Sequence, residues 1–232
     1  MLLSAASLMS AGGARAQGDP IASAIADPLR PDADRAADAR RKPAETLAFA
    51  QVRPGMKVAE LFPGGGYFSR MLSRVVGKEG HVWLVPWQEP QSGRSRNLAA
   101  DPAYGNFTYV DGNLFGFRPG EPLDLVFTVQ NYHDIASPQR AQVNQLIFRW
   151  LRAGGAFVVI DHAAIDGSGY ATLPLHRIDE ALVKKELTAA GFVLAGESQA
   201  LRNAADDRER NVFDPAIRGR TDQFMLRFVK PG

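Results

Sequence analysis

The sequence predicts an α/β fold: a doubly wound, mostly parallel seven-stranded sheet with an antiparallel C-terminal strand. Three observations carry this. Apolar strand-like runs alternate with helix-like segments at the pitch of strand–helix–strand units, which close into a parallel sheet with right-handed crossovers. Two of the runs, residues 123–129 and 156–160, are almost continuously apolar, as strands covered on both faces are. The last two runs have no helix between them, and so pair antiparallel at the sheet's edge.

Along the chain, residues 34–41 suit a polar helix within an Ala/Asp/Arg/Pro-rich leader, residues 17–42, that packs across the domain of residues 43–232. Pro43 opens a helix through Ala50, with Pro tolerated in its first turn. Residues 57–62 form the first strand; three glycines follow, and then a helix over 67–76 closed by Gly77. Residues 80–85 and 106–110 supply the second and third strands, with a short helix between them. The fourth is 123–129, and the helix 139–151 carries Val143, Ile147 and Trp150 at spacings of three to four. The fifth strand, 156–160, precedes a helix over 179–190, and strands at 192–194 and 222–229 finish the chain. The charged run 202–211 reads as a solvated loop, and Arg218, Arg220 and Asp222 as a structural ion-pair network or a clamp for an acidic group.

With 232 residues, 45% hydrophobic, 22% charged and a net charge of +2, the composition is that of one globular domain. Lys and Arg are scattered rather than striped, so no nucleic-acid footprint is expected, and no run approaches a membrane span. The expected partner is a small molecule; the oligomeric state is not legible. Residues 2–14 form a short apolar, small-residue run that leads into Ala14-Arg15-Ala16. They read as an export signal cleaved after Ala16, giving a periplasmic protein, although a basic segment before the run is missing. The alternative is a flexible tail on a cytoplasmic protein. The absence of cysteine excludes thiol chemistry under either reading.

The glycine turn at Gly64-Gly65-Gly66 lies between a strand and a helix. Glycine there allows backbone to approach a ligand, and the helix start offers free amide hydrogens. A structural turn without ligand is the plain alternative, and the spacing departs from Gly-x-Gly-x-x-Gly, which argues against a dinucleotide. Glu60-Leu61-Phe62-Pro63-Gly64-Gly65-Gly66-Tyr67 resembles the first motif of class I S-adenosylmethionine-dependent methyltransferases. Arg152-Ala153-Gly154-Gly155 is similar to the turn before their fifth strand, and the element order agrees over about residues 44–230. Segments such as Asn131-Tyr132-His133-Asp134 and Leu175-His176-Arg177-Ile178-Asp179 resemble a bacterial, often exported, methyltransferase-like group. The resemblance implies a Rossmann-like fold and S-adenosylmethionine as cofactor. It implies that Gly64 and Gly66 line the methionine part, with Glu60 holding its amino group directly or through a water and Asp111 near the adenine, and that Gly65, Tyr67 and Asn131 belong to the same cofactor site. At the end of the second strand the sequence departs from the pattern: Val85-Pro86-Trp87-Gln88-Glu89 replaces the ribose-binding acid, leaving Glu89 to reach round.

Three of the four histidines, His133, His162 and His176, fall at strand ends or loops of one rim, where ligands bind in open α/β sheets. His81 precedes the second strand and belongs to the opposite rim. Two chemistries suit the cluster, against the plain alternative of hydrogen-bonded loop histidines. His133 with Asp134 acts as general base for a methyl acceptor, with Tyr132, His162 and His176 beside it. Alternatively the histidines with Asp134 or Asp161 ligate a divalent metal, although no tight ligand spacing supports one. Methyl transfer to a small acceptor is the leading reading. Metal-assisted or acid–base chemistry outside the cytosol, where the cofactor is not made, and binding without turnover are the alternatives.

Overall fold

The computed structural model describes residues 18–87 and 93–232. The signal expected at residues 1–16 and the acid expected of Glu89 fall outside them.

Seven strands form one sheet in the order β3-β2-β1-β4-β5-β7-β6. They are β1 (Lys57–Leu61), β2 (His81–Val85), β3 (Phe107–Tyr109), β4 (Leu123–Val129), β5 (Leu151–His162), β6 (Val193–Ser198) and β7 (Gln223–Val229). Strands β1 to β5 pair in parallel. β7 runs antiparallel to both β5 and β6, so the reversed strand is inserted and β6 takes the edge. The order reverses between β1 and β4, which places the ligand crevice of such sheets outside their carboxyl ends.

The helices are α1 (Pro20–Ile25), α2 (Asp32–Arg41), α3 (Pro43–Ala50), α4 (Tyr67–Val76), α5 (Gly93–Ala99), α6 (Ser137–Trp150) and α7 (Glu180–Ala189). The core is split by the sheet. Phe68, Met71, Leu72 and Val75 of α4 bury against one face, and Val143, Ile147 and Leu187 of α6 and α7 against the other. Every side chain of β4 from Leu125 to Thr128 is buried, as its apolar sequence required.

The leader packs onto α4 through charge. Arg30, almost fully buried, forms a paired bond with Asp38, whose carboxylate also accepts from the Tyr67 hydroxyl at 2.6 Å. Arg70 reaches Asp34 at 2.8 Å, and Arg74 reaches Asp27. One expectation is overturned here. The run 202–211 is not simply solvated: Asp206 is buried and makes a bidentate bond with the fully buried Arg177, at 2.8 and 3.0 Å. Arg202 and Arg208 both pair with buried Asp222, making this loop an ion-pair network. The charges hide because the loop folds back over the β5–β7 junction, where Arg177 needs a counter-ion.

Candidate functional site

The first half of the site is a cleft of about 160 Å³ at the ends of β1 and β4, lined by Glu60 through Gly65, Tyr67, Phe68, Val129, Gln130, Asn131 and, from the leader, Arg41. That is below the ~300–1,000 Å³ of a pocket for a whole small ligand, and is sized for one end of it. Local backbone explains its shape. Gly64 at φ +57° and Gly66 at φ +81° turn the chain left-handed, where glycine carries no steric penalty. A Cβ on Gly66 would overlap the Leu98 side chain, so this glycine lets α4 and α5 meet. Phe62 and Gln130, at φ +54° and +61°, take the same conformation without being glycine. Both stand where a strand opens into the cleft, and strain of this kind collects at functional sites.

Glu60 is 5% exposed, and its carboxylate accepts the Ser69 hydroxyl. Burial pushes it up to about 8, against the pull of Ser69, Arg41 and Arg70. Among the described residues no cation is ion-paired to it, so it is a buried acid short of a positive partner. Asn131 donates its side-chain amide to the Val129 carbonyl at 2.5 Å, which fixes the rim. The Tyr67 ring stacks under Arg41 at 4.6 Å from the guanidinium carbon, and Arg41 donates to Gln130 at 3.4 Å. Arg41 escaped the sequence reading because it belongs to the leader, outside every motif. Asp111 stands just past β3, exposed and paired with Arg96 at 2.7 Å. Trp87 packs edge-on against Phe62 beside the cleft.

The second half lies two residues further along the chain. His133 and Asp134 sit in a single 3-10 turn after β4, and His176 closes another. His133 Nδ1 bonds Asp161 Oδ1 at 2.8 Å, and its backbone N–H donates to Asp161 Oδ2 at 2.9 Å. His133 Nε2 lies 3.3 Å from both His176 Nδ1 and Asp134 Oδ1, and His176 Nδ1 lies 3.4 Å from that same oxygen. Burial works against charge on His133, but Asp161 and Asp134 together outweigh it and hold the imidazole up to about 10. Burial likewise acts against charge on Asp134, but the neighbouring histidines keep it below the ordinary carboxylate range.

Two expected members stand apart. His162 ends β5 with its ring centroid 6.1 Å from that of His133, and its Nδ1 is engaged by the Thr221 hydroxyl at 2.8 Å. Burial pulls it down to about 4, so it is neutral. Tyr132, expected among the catalytic groups, is a core residue instead. It is fully buried, and its hydroxyl receives Asn144 at 2.8 Å and donates to Glu186 at 3.1 Å. An aromatic ring after an apolar strand gains more by entering the α6–α7 interface than by facing water. His81 starts β2, at the opposite rim, with Nε2 against Thr108 at 2.8 Å.

No family model matches the chain. It is 27% identical over 146 residues to a protein-L-isoaspartate O-methyltransferase of Ignicoccus hospitalis, covering 62% of this chain and 64% of that protein. It is 25% identical over 181 residues to the ubiquinone/menaquinone biosynthesis C-methyltransferase UbiE of Vibrio vulnificus, covering 75% and 65%. The chain thus spans just under two thirds of the length of these relatives. An S-adenosylmethionine-dependent methyltransferase of Aquifex aeolicus superposes with a TM-score of 0.61 at 16% identity, over 87% of this chain and 99% of that one.

Proposed function

Because this chain belongs by fold and by sequence to the class I S-adenosylmethionine-dependent methyltransferase superfamily, we propose that it transfers a methyl group from that cofactor to a small-molecule acceptor. The observation that carries the proposal is Glu60, a buried carboxylate with no ion-paired cation among the described residues, set in a glycine-lined cleft. Such a group suits the ammonium of the cofactor's methionine end, and Arg41, across the cleft, suits its carboxylate. Bound there, the cofactor supplies an electrophilic methyl on a positively charged sulfur. The chain's contribution is positioning: Gly64 and Gly65 let the backbone approach, Asn131 holds the rim, and Trp87 with Phe62 walls the side.

The acceptor is placed beside the histidine cluster, which opens to solvent through Asp134 and His176. His133, held at about 10, already carries its proton at neutral pH. The acceptor's own proton therefore leaves to water through the open side of the cluster. Export is a separate proposal, which signal-dependent fractionation of a tagged chain tests. Calorimetry with S-adenosylhomocysteine tests the main reading. Saturable binding that Glu60→Gln weakens about tenfold or more supports it; absence of heat at millimolar ligand overturns it.

A further inference from the structure

We propose that His133, Asp134 and His176 form a divalent transition-metal site next to the cofactor cleft. Their donor atoms, Nε2, Oδ1 and Nδ1, make a nearly equilateral triangle with edges of 3.3, 3.3 and 3.4 Å. A tetrahedral cation with nitrogen and oxygen bonds of ~2.0–2.1 Å holds its ligand atoms about 3.3–3.4 Å apart. The triangle therefore accepts such an ion without rearrangement.

Two features prepare it. The first is Asp161, which is completely buried and takes the Nδ1 hydrogen of His133, leaving Nε2 to face the other two donors. A carboxylate behind a ligating histidine fixes its tautomer and raises its basicity. The second is His176, which sits in the left-handed region at φ +55°, a conformation that a non-glycine residue keeps only where its surroundings hold it. Its neighbour Arg177 anchors that strained turn through the buried bond to Asp206.

The site is closed behind and open in front. The His133 side chain is 4% exposed, against 37% for His176 and 52% for Asp134. Three protein ligands with one position left free is the catalytic pattern of such centres, unlike the closed structural one. Two imidazoles and a carboxylate favour zinc, cobalt, iron(II) or manganese over calcium or magnesium. His162 stands outside the triangle: its ring centroid lies 6.1 Å from that of His133, and its Nδ1 is held by Thr221.

Resting on the methyl-transfer reading, the ion's free position takes an acceptor hydroxyl, which makes the substrate an oxygen nucleophile such as a phenol or hydroxy acid. The cation lowers the hydroxyl's pKa. Its proton leaves to water, the oxygen lone pair forms the bond to the methyl carbon, and the carbon–sulfur electron pair returns to sulfur.

The full chain, stripped with chelator and free of cofactor, is titrated with zinc sulfate by calorimetry and with cobalt chloride by visible absorption. One equivalent should bind, with the intense d–d bands of tetrahedral cobalt. His176→Ala and Asp134→Asn, both at part-exposed positions, should weaken uptake by more than the ~10–100-fold expected for Asp161→Asn. His81→Ala and His162→Ala should leave it unchanged. No uptake of either ion at millimolar concentration, or uptake unaltered in His176→Ala and Asp134→Asn, overturns the site. Calorimetry with S-adenosylhomocysteine on the same samples separates the two readings. Metal uptake without that binding removes methyl transfer and keeps the metal; binding without uptake does the reverse.

Discussion

Glu60 shows what a ligand site costs the empty protein. It ionises near its ordinary 4.5 when unfolded and near 8 when folded. A raised folded pKa means that its contribution to stability is complete below pH 4.5 and is lost as the pH rises through about 8. Glu60→Gln keeps an acceptor for Ser69 and removes the titration. It should therefore be more stable than the parent at pH 9 by on the order of 2 kcal/mol, and equal to it near pH 4, in paired urea titrations. The same variant should lose affinity for S-adenosylhomocysteine, so stability and binding move in opposite directions. Arg41→Ala should weaken that binding about 5–50-fold, the effect of losing a charge-assisted hydrogen bond, while leaving metal uptake as it was.

Among the elements, the leader and the late loop hold the two halves of the site in place. α2 supplies Asp34 and Asp38 to α4 and Arg41 to the cleft. Asp38→Ala strands the buried Arg30 and frees the Tyr67 hydroxyl, and should cost about 2–4 kcal/mol by chemical denaturation. Asp206→Ala leaves Arg177 buried without its partner, at a cost of about 3–5 kcal/mol; it should also weaken zinc uptake by loosening His176. Much of this framework was legible in the sequence. α3, α4 and β4 fall on their expected residues, because proline, glycine and an unbroken apolar run punctuate them. β5 begins five residues before the expected Ala156, because its ladder pairs Leu123 with Leu151 across a register shift and continues through a left-handed Gly154. That Glu60, Gly64, Gly65 and Asn131 share one cleft was legible, because each is local to a strand end or its turn. Arg41, the strained Phe62 and Gln130, and the burial of Asp206 depend on contacts distant in sequence, which no local pattern encodes. The convergence of His133 and His176 followed from topology; the exclusion of His162 required Thr221, which joins it from β7's approach.

For the molecule as a whole, the sheet is one continuous body with apolar clusters on both faces, so ligand binding should stabilise it as a unit. S-adenosylhomocysteine at about 100 times its Kd adds about 2.7 kcal/mol, a rise in Tm of roughly 5–10 °C for a domain of this size. A scanning calorimetry trace with one shifted transition is expected, whereas a shift confined to part of a split transition would contradict it. The position of β7 also governs how the protein is made. Of the seven strands of this sheet, the one latest in the chain is an interior one, bonded to β5 and β6 and burying Phe224, Leu226 and Phe228. Until it arrives, β5 is an open edge whose rows of unpaired amides invite other strands. β7 is therefore a keystone set late, and a chain that stops before Gln223 loses the middle of its sheet rather than its margin.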